Sequence, residues 1–132
     1  MLFKRRKKNF APVEIDPNDK WNKMWSLWAE GKIESPYYEL MSYHSEINNG
    51  GHYQFFSNTD NIENSETVVE TLCGILNENL KFSLQKAYKA YLNLENGINI
   101  DQSERDIKKS DEIFFENEDA IIKMLENYSK QF

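Results

Sequence analysis

Apolar side chains recur at helical spacing along most of this chain, and that property removes most folds from consideration. Trp21, Met24, Trp25 and Trp28 fall at i, i+3, i+4 and i+7, one wide stripe of a helix and a core face rather than a stacking surface for a ligand. No segment alternates apolar and polar residues long enough to demand a strand. The expected fold class is therefore all-α, a single compact bundle of about five to seven helices. A chain of 132 residues buries roughly two-thirds of its unfolded surface, so such a core needs neither a disulfide nor a structural metal. Cys73, the only cysteine, lies on an apolar stripe, where a thiol acts as a small core residue.

Punctuation residues divide the helices. Asp16-Pro17 predicts a start, with Asp16 as N-cap and Pro17 at the first helical position, and that helix should run to Gly31. Ser35-Pro36 repeats the device, with Ser35 as N-cap, and predicts a helix from Tyr37 to about Asn48 that Gly50-Gly51 stop. Leu40, Met41, His44 and Ile47 share its inner face. A third long helix is expected near Ser65-Glu66, turning Val68, Val69, Leu72, Cys73 and Leu76 inward, until Asn77-Glu78-Asn79 breaks or bends the chain. The next helix runs through Leu84, Ala87, Tyr88, Tyr91 and Leu92 to Asn96-Gly97. Residues 95–103 read as a linker, and Ile107, Ile113, Phe114, Ile121, Leu125 and Tyr128 as one or two closing helices.

Charge is distributed unevenly. The net charge is -6, yet five of the 16 basic side chains, Lys4, Arg5, Arg6, Lys7 and Lys8, stand together at the start, so residues 9–132 carry 11 basic against 22 acidic side chains, a net -11. From residue 33 to 80 there is no Lys or Arg, while Glu34, Glu39, Glu46, Asp60, Glu63, Glu66, Glu70 and Glu78 fall in that block. Unneutralised acid costs self-repulsion. The block reads either as a solvated face with first-turn helix acids or as an electronegative surface for a basic partner. Direct nucleic-acid binding is not expected of so acidic a domain. The organisation expected is a basic flexible tail over residues 1–12 and one all-helical domain over 13–132. With no apolar run long enough to span a membrane and no apolar segment behind the basic cluster, a cytoplasmic protein is expected.

Catalytic motifs are missing. His44 and His52 are the only histidines, without Glu-x-x-His or His-x-x-x-His spacing, and with Cys73 they make a poor zinc set. No Gly-x-Ser-x-Gly turn, phosphate loop or dinucleotide fingerprint occurs. A Cys73–His44 nucleophile pair is the one catalytic option left open. The expectation is a protein that is not an enzyme, with no cofactor and no metal.

One segment is dense in unusual residues: Asn48-Asn49-Gly50-Gly51-His52-Tyr53-Gln54-Phe55-Phe56-Ser57-Asn58. Adjacent glycines permit a sharp reversal. The amides of Asn48, Asn49, Gln54 and Asn58 can satisfy backbone groups left unpaired there, and Phe55 and Phe56 would fix the turn to the core. A structural knot between helices and a binding pocket both remain open. With the distal Ser110-Asp111-Glu112-Ile113-Phe114-Phe115, this segment resembles the bacterial DNA-mimic protein family, whose pattern is an Asn-Asn-Gly-Gly-x-x-Gln-aromatic-aromatic-x-Asn core and a distal Asp-x-x-aromatic region. The resemblance covers about residues 20–130. It implies an all-helical fold and, from the member after which the family is named, imitation of DNA's charge to occupy the basic groove of a DNA-binding protein. Motif identity transfers to Asn48, Asn49, Gly50, Gly51, Gln54, Phe55, Phe56 and Asn58. The basic stretch at residues 4–8 departs from what a DNA mimic needs.

These observations favour a non-enzymatic interaction protein engaging a basic partner, a transcription regulator or other nucleic-acid-binding protein. Glu63, Glu66 and Glu70 fall at i, i+3 and i+7, and Glu112, Glu116 and Asp119 at i, i+4 and i+7, and each trio forms a carboxylate row if it lies on one helix. An immunity or antitoxin-like inhibitor of a basic toxin would use the same electrostatics. A small-molecule site lined by Asn48, Gln54, His44 and His52 is a third option, and a homodimer is compatible with all three. The basic tail serves either as a solubilising terminus or as a contact for anionic lipid, nucleic acid or the chain's own acidic block.

Overall fold

The computed structural model describes residues 19–132, whose regular structure is six α-helices: α1 (Asp19–Ala29), α2 (Tyr37–Asp60), α3 (Ser65–Cys73), α4 (Glu78–Glu95), α5 (Ile100–Glu116) and α6 (Glu118–Ser129). The protein is an all-α bundle, as its periodicity requires. The helix start expected at Asp16-Pro17 lies outside the described residues, as does the basic tail. At the other end of α1, Gly31 adopts φ +73 and donates to the Trp28 carbonyl, while Lys32 donates to that of Leu27, which closes the helix with a left-handed C-cap.

Helix α2 is the spine of the fold, packed on α3, α4, α5 and α6. It supplies Leu40, Met41, Tyr43, Ile47, Phe55 and Phe56 to a core completed by Met24, Leu72, Leu80, Leu84, Phe114, Ile121 and Leu125. The tryptophan stripe faces this core with Met24 fully buried and Trp21, Trp25 and Trp28 half-buried at its rim, the indole N–H of Trp28 donating to Ser42 Oγ at 2.9 Å. Tyr37 stacks on Tyr128 at a centroid distance of 3.9 Å, joining the start of α2 to the end of α6.

Four expectations need correction. Gly50-Gly51 does not stop the second helix, because only Gly51 leaves helical geometry and the chain resumes the helix to Asp60. Ser35 is not an N-cap: Pro36 takes that position with no side-chain cap, and the Ser35 hydroxyl donates instead to Glu39 Oε1 at 2.9 Å. The third helix is short, ending at Cys73, so that Leu76 is buried from the following turn. The linker shrinks to four residues, 96–99, since Gly97 and Asn99 both take positive φ and reverse the chain at once; Leu92 on the preceding helix is exposed. The Asn77 side chain, by contrast, accepts from the Leu80 N–H at 2.9 Å and starts α4 where the sequence placed a break. The closing region is two helices, α5 folding back along α4 and α6 returning along α2.

Candidate functional site

The dense motif builds a kink in α2, and the distal aspartate holds it. Gly51 sits at φ 87, ψ -176, a conformation open essentially to glycine alone. At such a break the next N–H loses its helical acceptor. The His52 N–H donates instead to Asp111 Oδ1 of α5 at 2.9 Å, and the same oxygen lies 2.6 Å from His52 Nδ1. A carboxylate oxygen only accepts, so Nδ1 carries the proton at this contact; in the neutral ring Nε2 accepts, and the Tyr43 hydroxyl, 2.6 Å away, donates to it. His52 and Tyr43 are fully buried, and burial together with Asp111 pushes the Tyr43 hydroxyl well above its ordinary range. Phe114, one turn along α5 from Asp111, meets Tyr43 edge-on at 5.3 Å and borders both histidines. The Asn-Asn-Gly-Gly and Asp-x-x-Phe segments are thus two halves of one structural lock.

Three of the motif amides, Asn48, Gln54 and Asn58, are engaged within the protein. Asn48 Nδ2 donates to the His44 carbonyl and to Glu118 Oε2, both at 2.9 Å. Gln54 and Asn58 donate to Glu46 at 3.2 Å, one carboxylate spanning the kink from the first half of α2 to the second. Asn49 is exposed, and Phe55 and Phe56 are buried. Surface clefts of about 300 and 380 Å³ lie along the α4–α5 seam beside Lys86 and Asp106. Among the described residues there is no group of His, Cys, Asp and Glu able to hold a metal. The Cys73 thiol is pushed up by burial, away from nucleophilic use.

His44 pairs with Glu118 at 2.9 Å across the α2–α6 contact. Burial lowers its pKa from 6.5 and outweighs Glu118, whose charge and hydrogen bond raise it. The unfolded chain then takes up the proton first: His44's share of stability is complete above pH 6.5 and is lost as pH falls from there through the lower folded value. We expect the His44 ring resonance to titrate below 6.5 in NMR spectra of the folded protein, and Glu118→Gln to move it lower still. A midpoint above 6.5 would overturn this assignment.

The acidic residues are placed unevenly. Glu66 and Glu70 lie one turn apart on α3, but Glu63 precedes the N-cap Asn64 and stands in the turn between α2 and α3. Glu112 and Glu116 lie on α5, Asp119 lies beyond Asn117 on α6, and Glu112 is 3.8 Å from Lys109. Each row therefore crosses a helix boundary. Within the acidic block, Asp60 is structural as well as charged: its carboxylate accepts from Ser65 Oγ and from the Tyr91 hydroxyl, tying the end of α2 to α3 and α4. Glu95 accepts from the Tyr53 hydroxyl. Burial, then Glu66 and Asp60, raise the Tyr88 hydroxyl above its ordinary value.

Sequence reasoning missed the pairing of His52 with Asp111, because nothing local connects residues 59 positions apart. The available signal was that each lies within one of the two motif segments, Asp111 at the specified aspartate and His52 at a variable position beside Gly51. No curated protein and no solved structure matches the chain. The family model described as DMP19-like protein matches residues 32–132, which spans α2 to α6 with both halves of the lock. The chain belongs to the DMP19-like protein family.

Proposed function

We propose that this chain is a non-enzymatic acidic interaction protein, which binds a basic nucleic-acid-binding protein or transcription regulator by offering carboxylates where DNA offers phosphates. The carrying observation is the block from residue 33 to 80. It contains eight acids and no Lys or Arg, and among the described residues none of those acids forms a salt bridge. Glu63, Glu66, Glu70 and Glu78 are all exposed. Carboxylates left without countercharge cost self-repulsion in the free protein, and that cost is relieved when an Arg/Lys surface meets them. Family membership points the same way.

The test is capture of basic DNA-binding proteins on the immobilised full chain, read against salt. Screening is expected to cut retention about tenfold between low salt and about 0.3 M. Charge reversal at Glu63, Glu66 and Glu70 to Lys should release the same proteins. Retention that is indifferent to salt, or unchanged by the triple reversal, would remove these carboxylates from the interface.

A further inference from the structure

The acidic corner carries more than charge. Ile62, at the tip of the turn between α2 and α3, is 84% exposed, the largest exposure of any large apolar side chain described. Tyr53 of α2 and Leu92 of α4 are also exposed, at 40% and 41%. A lone exposed apolar residue needs no explanation, but these belong to a connected corner. The Tyr53 ring meets Tyr91 edge-on at 5.2 Å, the Tyr91 hydroxyl bonds Asp60, and Ile62 follows Asp60 by two residues. Leu92 lies next to Tyr91 and one turn from Tyr88. Around them stand Asp60, Glu63, Glu66 and Glu95. Exposed Phe82 belongs instead to the α4–α5 side, where Lys86, Lys89 and Lys109 mix with Asp106 and Glu116. Ile62 and Tyr53 belong to the block from residue 33 to 80 that has no Lys or Arg, while Leu92 follows Lys89 by three residues on α4.

From this juxtaposition, and resting on the proposed reading of the chain as a binder of basic proteins, we infer that the α2–α3–α4 corner is the docking face for a Lys/Arg-rich protein segment carrying an apolar side chain, with Ile62 as the anchor. DNA has no counterpart to such an anchor. Phosphate imitation alone would accept any basic groove, whereas an isoleucine between Asp60 and Glu63 in the chain selects a partner with an apolar pocket inside its basic surface, and the Tyr53 ring offers a face for a guanidinium. The contact thereby gains a component that salt does not screen.

Two helical peptides of about 18 residues, five turns each, serve as probes: one amphipathic with lysine and leucine, the other with alanine for leucine. Titrated into the labelled full chain, the lysine–leucine peptide should move the amide resonances of Tyr53, Ile62, Glu66 and Leu92. Ile62→Ser should weaken that peptide about tenfold while changing the lysine–alanine peptide less than about twofold. Glu66→Lys should weaken both. Because Ile62 is so exposed, the serine variant keeps the fold, which its unperturbed core resonances would verify. If the shifts centre on Glu112 and Glu116, or Ile62→Ser binds the lysine–leucine peptide as tightly as before, the corner is not the docking face, although the reading as a basic-protein binder stands. If neither peptide binds at low salt, both fall.

Discussion

Gly51→Ala is expected to destabilise the protein by about 3–5 kcal/mol, from two sources that act together. The first is backbone strain, since a residue with a side chain held at φ 87, ψ -176 costs about 1–3 kcal/mol. The second is steric: a Cβ at this position would lie 2.7 Å from Asp111 Oδ2, closer than such atoms approach. Asp111 cannot yield without releasing the N–H and Nδ1–H of buried His52, and each buried donor left without an acceptor costs about 1–3 kcal/mol. Gly50→Ala is the internal control. Gly50 keeps helical dihedrals, and its added methyl meets only the end of the Gln54 side chain, which can swing away from Glu46. That variant should stay within about 1 kcal/mol of the parent, because alanine's helix propensity offsets the lost contact. Urea unfolding of the two variants decides the matter. A Gly51→Ala midpoint close to that of Gly50→Ala would mean that the kink relaxes locally and is not locked from α5.

The difference between these adjacent glycines explains what could be read from the sequence. Local signals were legible where the answer is local. The stripe of Trp21, Met24, Trp25 and Trp28, the Asn77 break and the Asn96-Gly97 stop all report backbone preferences or a single apolar face, and the structure uses them as such. Gly50-Gly51 is a local stop signal that a distant group overrides, because the N–H freed at the break finds its acceptor in Asp111 and the helix re-forms on the other side. The acid positions show the same limit. Spacing of i, i+3 or i+4, and i+7 makes a row only inside one helix, and the caps at Asn64 and Asn117 place Glu63 and Asp119 outside the helices of their partners. The corner that gathers Tyr53, Asp60, Tyr91 and Glu95 is formed by helices far apart in the chain, so no spacing rule could assemble it.

Asp111→Ala is the second large effect, expected at about 3–5 kcal/mol, because it removes the acceptor of two His52 protons inside the core while His52 and its Tyr43 partner stay buried. Asp111→Asn keeps an oxygen where Oδ1 stands and should cost only about 1 kcal/mol, the difference between a charge-assisted and a neutral hydrogen bond. Coupling with Gly51 identifies the lock. With the carboxylate gone, the methyl of Gly51→Ala meets no obstacle at Asp111, and what remains is the backbone strain of about 1–3 kcal/mol, so the double variant should lose clearly less than the two single losses added together. Strict additivity in urea unfolding would show that the two residues act separately. The lock also reaches the acidic corner. The kink sets the direction in which the second half of α2 carries Tyr53 and Asp60 toward α3 and α4. Asp111→Ala, studied under conditions where the chain is still folded, should therefore shift the amide resonances of Asp60 and Ser65, and Asp111→Asn should leave them near their original positions. A distal aspartate that contacts none of the corner residues would then govern the geometry of the surface through the angle of one helix.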